Sequence, residues 1–419
     1  MNILQDLEFR GLLHQVTDRE GLEKELENGK VKLYCGFDPT ADSLHIGNLL
    51  AILTLKRFQE AGHSPLPLVG GGTGLIGDPS GRSIERTLNE QETVVQWTEK
   101  IKSQLSKLLD FESETNPAKM VNNYEWLSQL TVIEFLRDVG KNFSINYMLA
   151  KDSVDSRLEG GISFTEFSYM ILQAYDFLNL YKQEGCKLQI GGSDQWGNIT
   201  AGMELIRRSG EEDKAFGLTI PLITKADGTK FGKTATGTIW LDAEKTTPYE
   251  FYQFWVNAAD ADVINWIKYF TFFSKEEIVQ LEQSLQQAPE KREAQKALGR
   301  EVTTLVHGEK AYLQAVKITE ALFSGNLSEL TADEIEQGFK DVPSFTVENH
   351  ADLNLVDLLV EAKVSPSKRQ AREDITNGAV SVNGEKVQDL SFVIDEKDRI
   401  ENRFVIIRRG KKKYTLIRY

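Results

Sequence analysis

Cysteine, histidine and long apolar runs are what this 419-residue chain has least of. Its two cysteines, Cys35 and Cys186, form no CxxC pair. That excludes a thiolate zinc site of the usual spacing, and so sparse a use of cysteine fits a reducing compartment, with the cytoplasm expected. No run of 18 apolar residues occurs, so no membrane span is expected. The opening MNILQDLEFRGLLHQV carries acidic residues and lacks a small-residue cleavage site, so it does not read as a secretory signal. Internal repeats and low-complexity tracts are likewise missing.

What is present is ordinary in amount and uneven in placement. A hydrophobic content of 40% and a charged content of 27% suit a soluble globular protein, and the length calls for two or three domains. The net charge of −14 argues at first against a nucleic-acid partner. Residues 352–419, however, hold 14 Lys and Arg against 11 Asp and Glu, which leaves 35 against 52, a net of −17, for residues 1–351. An acidic body with a mildly basic tail suggests a polyanion met through local patches, although a solvated tail explains the charge equally well.

The first half alternates strand-like and helical patterns. Residues 32–37, 65–69, 119–122 and 187–191 read as strands. Residues 47–61, 87–109, 165–182 and 197–209 read as helices, and 131–148 as containing another. This predicts a Rossmann-like α/β domain over 1–220, built on a doubly wound parallel sheet. A linker with a mobile loop is expected over 221–247 and an all-helical domain over 248–325. An acidic linker is expected over 326–351 and a small α+β domain over 352–419, with a hairpin turn at Asn383-Gly384. Doubly wound sheets bind ligands at the carboxyl ends of strands, where the strand order reverses. Three Gly- and Asp-bearing strings fall at such ends: residues 36–40, 70–81 and 191–196.

Two of the motifs carry phosphate chemistry. His45-Ile-Gly-Asn48 opens a helix, whose N-terminal N–H groups and dipole favour an anion. Thr40 offers a second donor nearby, and the absence of a Cβ at Gly47 lets the backbone approach a base closely. Lys230-Phe-Gly-Lys-Thr234 lies in a loop with Thr229, Thr236 and Gly237. Alone, a histidine at a helix start is more often a cap, and two lysines three residues apart are more often a solvated turn. In this order, the two motifs resemble the signatures of the class I aminoacyl-tRNA synthetases. Asn48 stands where a second histidine is usual, and Phe231-Gly232 where Met-Ser is usual. The resemblance implies adenylate formation from ATP, with His45, Thr40 and Asn48 at the phosphates. Lys230, Lys233 and Thr234 are then a clamp on the leaving pyrophosphate.

The strings YCGFDPTADSLHIGN, GGGTGLIGDPSGR, EFSYMILQAYDF and QIGGSDQWGNI narrow this to a resemblance with the bacterial tyrosyl-tRNA synthetase family over nearly the whole chain. Tyr169, Gln173 and Asp176 lie at i, i+4 and i+7, on one helix face. By resemblance, Tyr34 and Asp176 meet a phenol. Asp78, Tyr169 and Gln173 surround the amino acid's ammonium, and Gln195 sits near its carboxylate. ATP is expected to meet Cys35, Gly36, Asp38, Gly47, Gly192, Asp194 and Lys233, with Arg82 and Arg86 as a further basic pair. From the residues alone, the aromatic stripe of 164–181 reads more readily as core packing. Magnesium is expected with ATP, without a dedicated ligand cluster.

Residues 353–383 resemble an α-L RNA-binding module, which implies that Lys368, Arg369 and Arg372 contact tRNA phosphates, with Lys411, Lys412 and Lys413 extending the basic surface. The family implies a homodimer formed around residues 135–149, a stretch that could equally be a core helix. Three other readings share features of the chain. A tryptophanyl-tRNA synthetase has the same architecture, but Tyr34, Asp176 and the tail favour tyrosine. A small-molecule nucleotidylyltransferase leaves the helical region and tail unexplained. A non-enzymatic RNA-binding protein built on a decayed synthetase is at odds with intact His45, Asp78, Asp176, Lys230 and Lys233.

Overall fold

A computed structural model describes residues 2–82, 84–211, 213–234, 237–348, 352–410 and 413–419. Contacts divide the chain into two units, 1–245 with 258–298, and 246–257 with 299–419. The helical stretch expected over 248–325 is thus shared. Helix Pro248–Val256 groups with the second unit, whereas Asp260–Phe270 and Lys275–Gln287 group with the first.

The first unit is organised by a six-stranded sheet. Its strands are β1 (Gln15–Val16), β2 (Lys32–Phe37), β3 (Ser64–Val69), β4 (Val121–Asn122), β5 (Cys186–Gly192) and β6 (Phe216–Ile220), in the order β1-β6-β5-β2-β3-β4. Strands β2 to β6 are parallel, as expected, but the two-residue β1 closes the edge antiparallel to β6. The five parallel strands are apolar runs with little alternation (all six residues of β3 and all five of β6 are buried), because helices cover both faces. From β2 the chain moves outward through β3 and β4, then returns to lay β5 on the other side of β2. That reversal opens a crevice at the carboxyl ends of β2 and β5.

Local chemistry fixes the helices around it. Helix Ile46–Glu60 starts in a capping box, in which His45 accepts from its first turn and Asn48 reaches back to the His45 N–H. Helix Phe164–Glu184 is capped by Ser163 and stopped by Gly185 in the left-handed conformation. Its inner face, with Tyr169, Ala174 and Phe177, is buried. The helix expected from 87 starts at Gln91. The one expected within 131–148 breaks into four short turns, because Gly140 and the Ser144 cap interrupt it.

In the second unit a five-stranded sheet runs in the order Glu385–Lys386, Val380–Val382, Phe404–Arg409, Lys413–Arg418, Ser344–Thr346. Asn383 (φ 51°) and Gly384 (φ 97°) form the tight turn expected of them. Residues 326–351, expected to be a linker, instead supply helix Ala332–Gly338 and the edge strand Ser344–Thr346, parallel to the last strand. Two of their carboxylates have ordered roles. Glu334 completes a capping box with Thr331, and Glu336 binds Arg418 through two bonds of 2.7 and 3.0 Å.

Candidate active site

A cavity of about 440 Å³ lies over the carboxyl ends of β2, β5 and β6. It gathers Tyr34, Cys35, Gly36, Asp38 and Thr40 from β2 and the turn after it, and His45, Gly47 and Asn48 from the helix start. Asp78, Arg82 and Arg86 come from the glycine-rich turn, and Tyr169, Gln173 and Asp176 from one helix face. Gly192, Asp194 and Gln195 follow β5.

One end is built around Asp176. Trp126 Nε1 donates to its Oδ1 at 2.7 Å and Asn123 Nδ2 to its Oδ2 at 2.9 Å. Burial nevertheless dominates, and pushes the carboxyl up to about 8. The Tyr34 hydroxyl is buried and lacks a hydrogen-bond partner among the described residues. Its pKa is driven well upward by burial and by Asp176. A buried hydroxyl without a partner is costly unless a ligand supplies one.

From Asp176 a continuous network crosses the cavity wall. Asn123 also donates to Thr73 Oγ1 at 2.8 Å and accepts from the Gly72 N–H at 2.8 Å. The Thr73 hydroxyl donates to Asp38 Oδ1 at 2.7 Å, and the Tyr169 hydroxyl to Asp38 Oδ2 at 2.7 Å. Burial raises Asp38 to about 6, against the pull of these two donors. Gly70 makes the arrangement possible, since a Cβ there would lie 1.9 Å from Asp38 Oδ1. Beside it, Gln195 Nε2 donates to Asp78 Oδ2 at 2.8 Å, while Gln173 donates to Gln195 at 3.2 Å and accepts from Asn198 at 3.0 Å. Polar atoms therefore surround a space suited to an ammonium and a carboxylate. Asp194 is raised mainly by burial, and burial pushes the Cys35 thiol up to about 12.

The other end presents donors and cations. The Gly47 N–H donates to His45 Nδ1 at 3.0 Å, which leaves the ring proton of the neutral imidazole on Nε2. Burial, then the charge of Lys233, lowers its pKa, so the ring is a neutral donor. A Cβ at Gly47 would come within 2.9 Å of that same Nδ1, so the glycine also makes room for the cap. Arg86 Nε donates to the Asp78 carbonyl at 3.0 Å.

The Lys230–Thr234 segment presents its aromatic residue, and not its lysines, to the cavity. Phe231 lines the cavity, stacked on Phe270 at 5.3 Å and edge-on to Trp266 at 5.1 Å. Lys230, Lys233 and Thr234 are exposed and outside its lining. Downstream, Ile46 N–H donates to Ile239 O at 3.1 Å and Leu241 N–H to Leu44 O at 2.9 Å, joining this loop to the His45 segment. Thr236 lies outside the described residues.

In the second unit Lys368, Arg369 and Arg372 are exposed on helix Lys368–Thr376, with Lys368 also 2.7 Å from Asp357. Lys413 is exposed at the start of the last strand, and Lys411 and Lys412 lie outside the described residues. Sequence reasoning missed Thr73, Asn123, Trp126 and Phe231. The only signal available was a pair of asparagines, Asn122-Asn123, at the end of a short strand.

A family model described as tRNA synthetases class I (W and Y) matches residues 26–324, and one described as tyrosine–tRNA ligase SYY-like C-terminal domain matches 334–417. The chain is 71% identical over 420 residues to tyrosine–tRNA ligase 1 of Bacillus cereus (strain ZK / E33L), covering all of both chains. It is 68% identical over 419 residues to the tyrosine–tRNA ligase of Geobacillus stearothermophilus, again over the whole of both. A C-terminally truncated mitochondrial tyrosyl-tRNA synthetase of Aspergillus nidulans superimposes with a TM-score of 0.70 at 32% identity, covering 77% of this chain and 94% of that one. A tryptophanyl-tRNA synthetase of Encephalitozoon cuniculi shares the fold, with a TM-score of 0.56 at 15% identity over 79% of this chain and 89% of that one.

Proposed function

Because the chain belongs to the class I tRNA synthetases, in their tyrosine–tRNA ligase branch, we propose how its own residues carry out that ligation. The reaction joins L-tyrosine to ATP as tyrosyl-adenylate with release of pyrophosphate, then passes the tyrosyl group to the 3′-terminal adenosine of tRNA(Tyr). The substrate carboxylate is itself the nucleophile, so the protein has to position two reactants and offset negative charge developing on phosphate oxygens.

Tyrosine enters with its phenol between Tyr34 and Asp176. Tyr34 donates to the phenolic oxygen and Asp176 accepts the phenolic proton. That donated bond offsets the burial that raises the Asp176 carboxyl and so favours the carboxylate when tyrosine is bound. Asp78, Tyr169 and Gln173 take the ammonium, and Gln195 lies beside the carboxylate. Cys35, Gly36, Asp38, Gly47, Gly192 and Asp194 take the adenosine. His45 Nε2, Thr40 and Asn48 donate to the phosphates, joined by Arg82 and Arg86. The lysines of 230–234 reach the β- and γ-phosphates once the loop moves inward, with Thr234 beside them.

Magnesium fits as an ion carried in by ATP, where it neutralises phosphate charge. No group of three His, Cys, Asp or Glu side chains able to hold a metal occurs among the described residues. The exposed apolar side chains of Val132, Ile133, Leu136 and Ile145, in and beside the 135–149 stretch, support a homodimer formed through it. The exposed cations Lys368, Arg369, Arg372 and Lys413 support tRNA binding, with Lys411 and Lys412 adding to them by sequence. We place the enzyme in the cytoplasm.

The observation that carries the choice of amino acid is the buried Asp176, held by Asn123 and Trp126 beside the partnerless Tyr34 hydroxyl. Phenylalanine would leave the Tyr34 hydroxyl and the Asp176 carboxylate without the phenol that answers them. The test is ATP–pyrophosphate exchange with tyrosine, phenylalanine and tryptophan, followed by charging of total tRNA. Exchange with tyrosine alone is expected, and comparable exchange with phenylalanine or tryptophan would overturn the assignment of the cavity.

A further inference from the structure

Beneath the Arg82–Arg86 turn lies an ion pair that none of the roles above uses. Arg157 Nη2 sits 3.0 Å from Glu166 Oε2, with the two side chains 3% and 1% exposed. Burying both charges is expensive, and an apolar pair of similar volume commonly packs as well or better, so packing alone does not explain the choice. The second carboxylate oxygen supplies the reason, because Glu166 Oε1 accepts from the main-chain N–H of Arg86 at 2.8 Å.

Arg86 is therefore tied at two points. Its N–H is held by Glu166, and its Nε by the Asp78 carbonyl at 3.0 Å. Among the described residues of the turn, Ile84 is 77% exposed and Glu85 is also exposed. Glu166 belongs to the first turn of the helix that carries Tyr169, Gln173 and Asp176. One buried carboxylate thus joins the element that bears the amino-acid subsite to the segment that bears two cavity-lining guanidiniums. Arg157 lies against one oxygen of that carboxylate, and the other oxygen accepts from the Arg86 N–H.

We propose that Glu166, held by Arg157, is a positioning residue for the phosphate step, fixing the main chain at Arg86 and so the reach of Arg82 and Arg86 into the cavity. The proposal rests on the assignment of those two arginines to the phosphate end. Two double variants of the full-length chain remove both charges together and so avoid stranding one in the interior. Glu166→Gln with Arg157→Met keeps an oxygen for the Arg86 N–H, whereas Glu166→Leu with Arg157→Met removes it. Tyrosine affinity without ATP, read by tryptophan fluorescence, and exchange kinetics with respect to tyrosine, ATP and pyrophosphate are measured for each.

Both double variants are expected to bind tyrosine within about twofold of the parent. The Leu variant loses about 10- to 100-fold in exchange and shows a raised KM for pyrophosphate, while the Gln variant stays within about threefold. Equal losses in both, a parallel loss of tyrosine binding, or no loss in either would overturn the proposal. Arg86→Met separates the two layers of the argument. Unchanged exchange in that variant refutes the phosphate assignment itself, whereas impaired exchange beside an unimpaired Leu variant refutes only the positioning role.

Discussion

Asp176→Asn offers a test that needs no substrate. Folding raises this carboxyl from 3.8 to about 8, burial being the main cause, with the donors Asn123 and Trp126 opposing it and Asp38 adding to it. Between those two values the folded chain holds a proton that the unfolded chain has released. The stabilising contribution is therefore whole below pH 3.8, drains away as the pH rises, and is gone above about pH 8. The slope is about 1.4 kcal/mol for each pH unit. Asparagine keeps the shape and does not titrate, but its NH₂ cannot accept one of the two bonds, at a cost of about 1–3 kcal/mol. Near pH 5 the variant should thus be the less stable chain, and towards pH 8 the difference should shrink and reverse, a swing of about 4 kcal/mol. Thermal unfolding of both ligand-free chains at matched ionic strength reads this directly, since Asp38 and the other titrating groups are common to both. A difference independent of pH, or a parent that gains on the variant as pH rises, would refute the reasoning.

Three further outcomes are expected. His45→Ala should lower pyrophosphate exchange by about 10²- to 10³-fold, as for loss of a donor to developing charge, with tyrosine affinity measured by fluorescence unchanged. Asn123→Ala strands one oxygen of Asp176 and releases Thr73, so the KM for tyrosine should rise about tenfold or more in exchange assays, corresponding to the loss of one buried hydrogen bond. Arg369→Glu with Arg372→Glu should leave exchange intact and depress tRNA charging, with a shallower dependence of tRNA affinity on salt because fewer phosphates are neutralised. Loss of exchange in that pair would mean that the tail acts on the first half of the reaction.

Much of the site was legible because its residues come in local strings whose spacing carries their geometry. His45 announces a helix start, as the structure has it, and the structure adds that Asn48 is its reciprocal cap. Tyr169, Gln173 and Asp176 share a face simply because they sit at helical spacing. Thr73, Asn123 and Trp126 were illegible for the opposite reason. Each serves a residue far away in sequence (50 positions separate Trp126 from Asp176), and nothing local distinguishes a bonded asparagine from a solvated one. Composition misled over 326–351, which reads as an acidic linker and instead supplies a helix, an edge strand and, in Glu336, the partner of Arg418. The cavity position of the apolar Phe231, packed against Phe270 and Trp266, was likewise illegible, because the chemistry of the segment draws attention to the lysines on either side of it.

The bond network from Trp126 to Tyr169 also bears on how such a cavity could change allegiance. Replacing Asp176 to admit another side chain leaves the Trp126 and Asn123 N–H groups pointing at nothing, and correcting Asn123 in turn unseats Thr73 and Asp38. Each stranded group costs about 1–3 kcal/mol, a large part of the margin by which a protein stays folded. Neighbouring amino-acid specificities would therefore be reached from this chain by substitutions arriving as a set, and the intermediate single variants would bind neither the old amino acid nor the new one well.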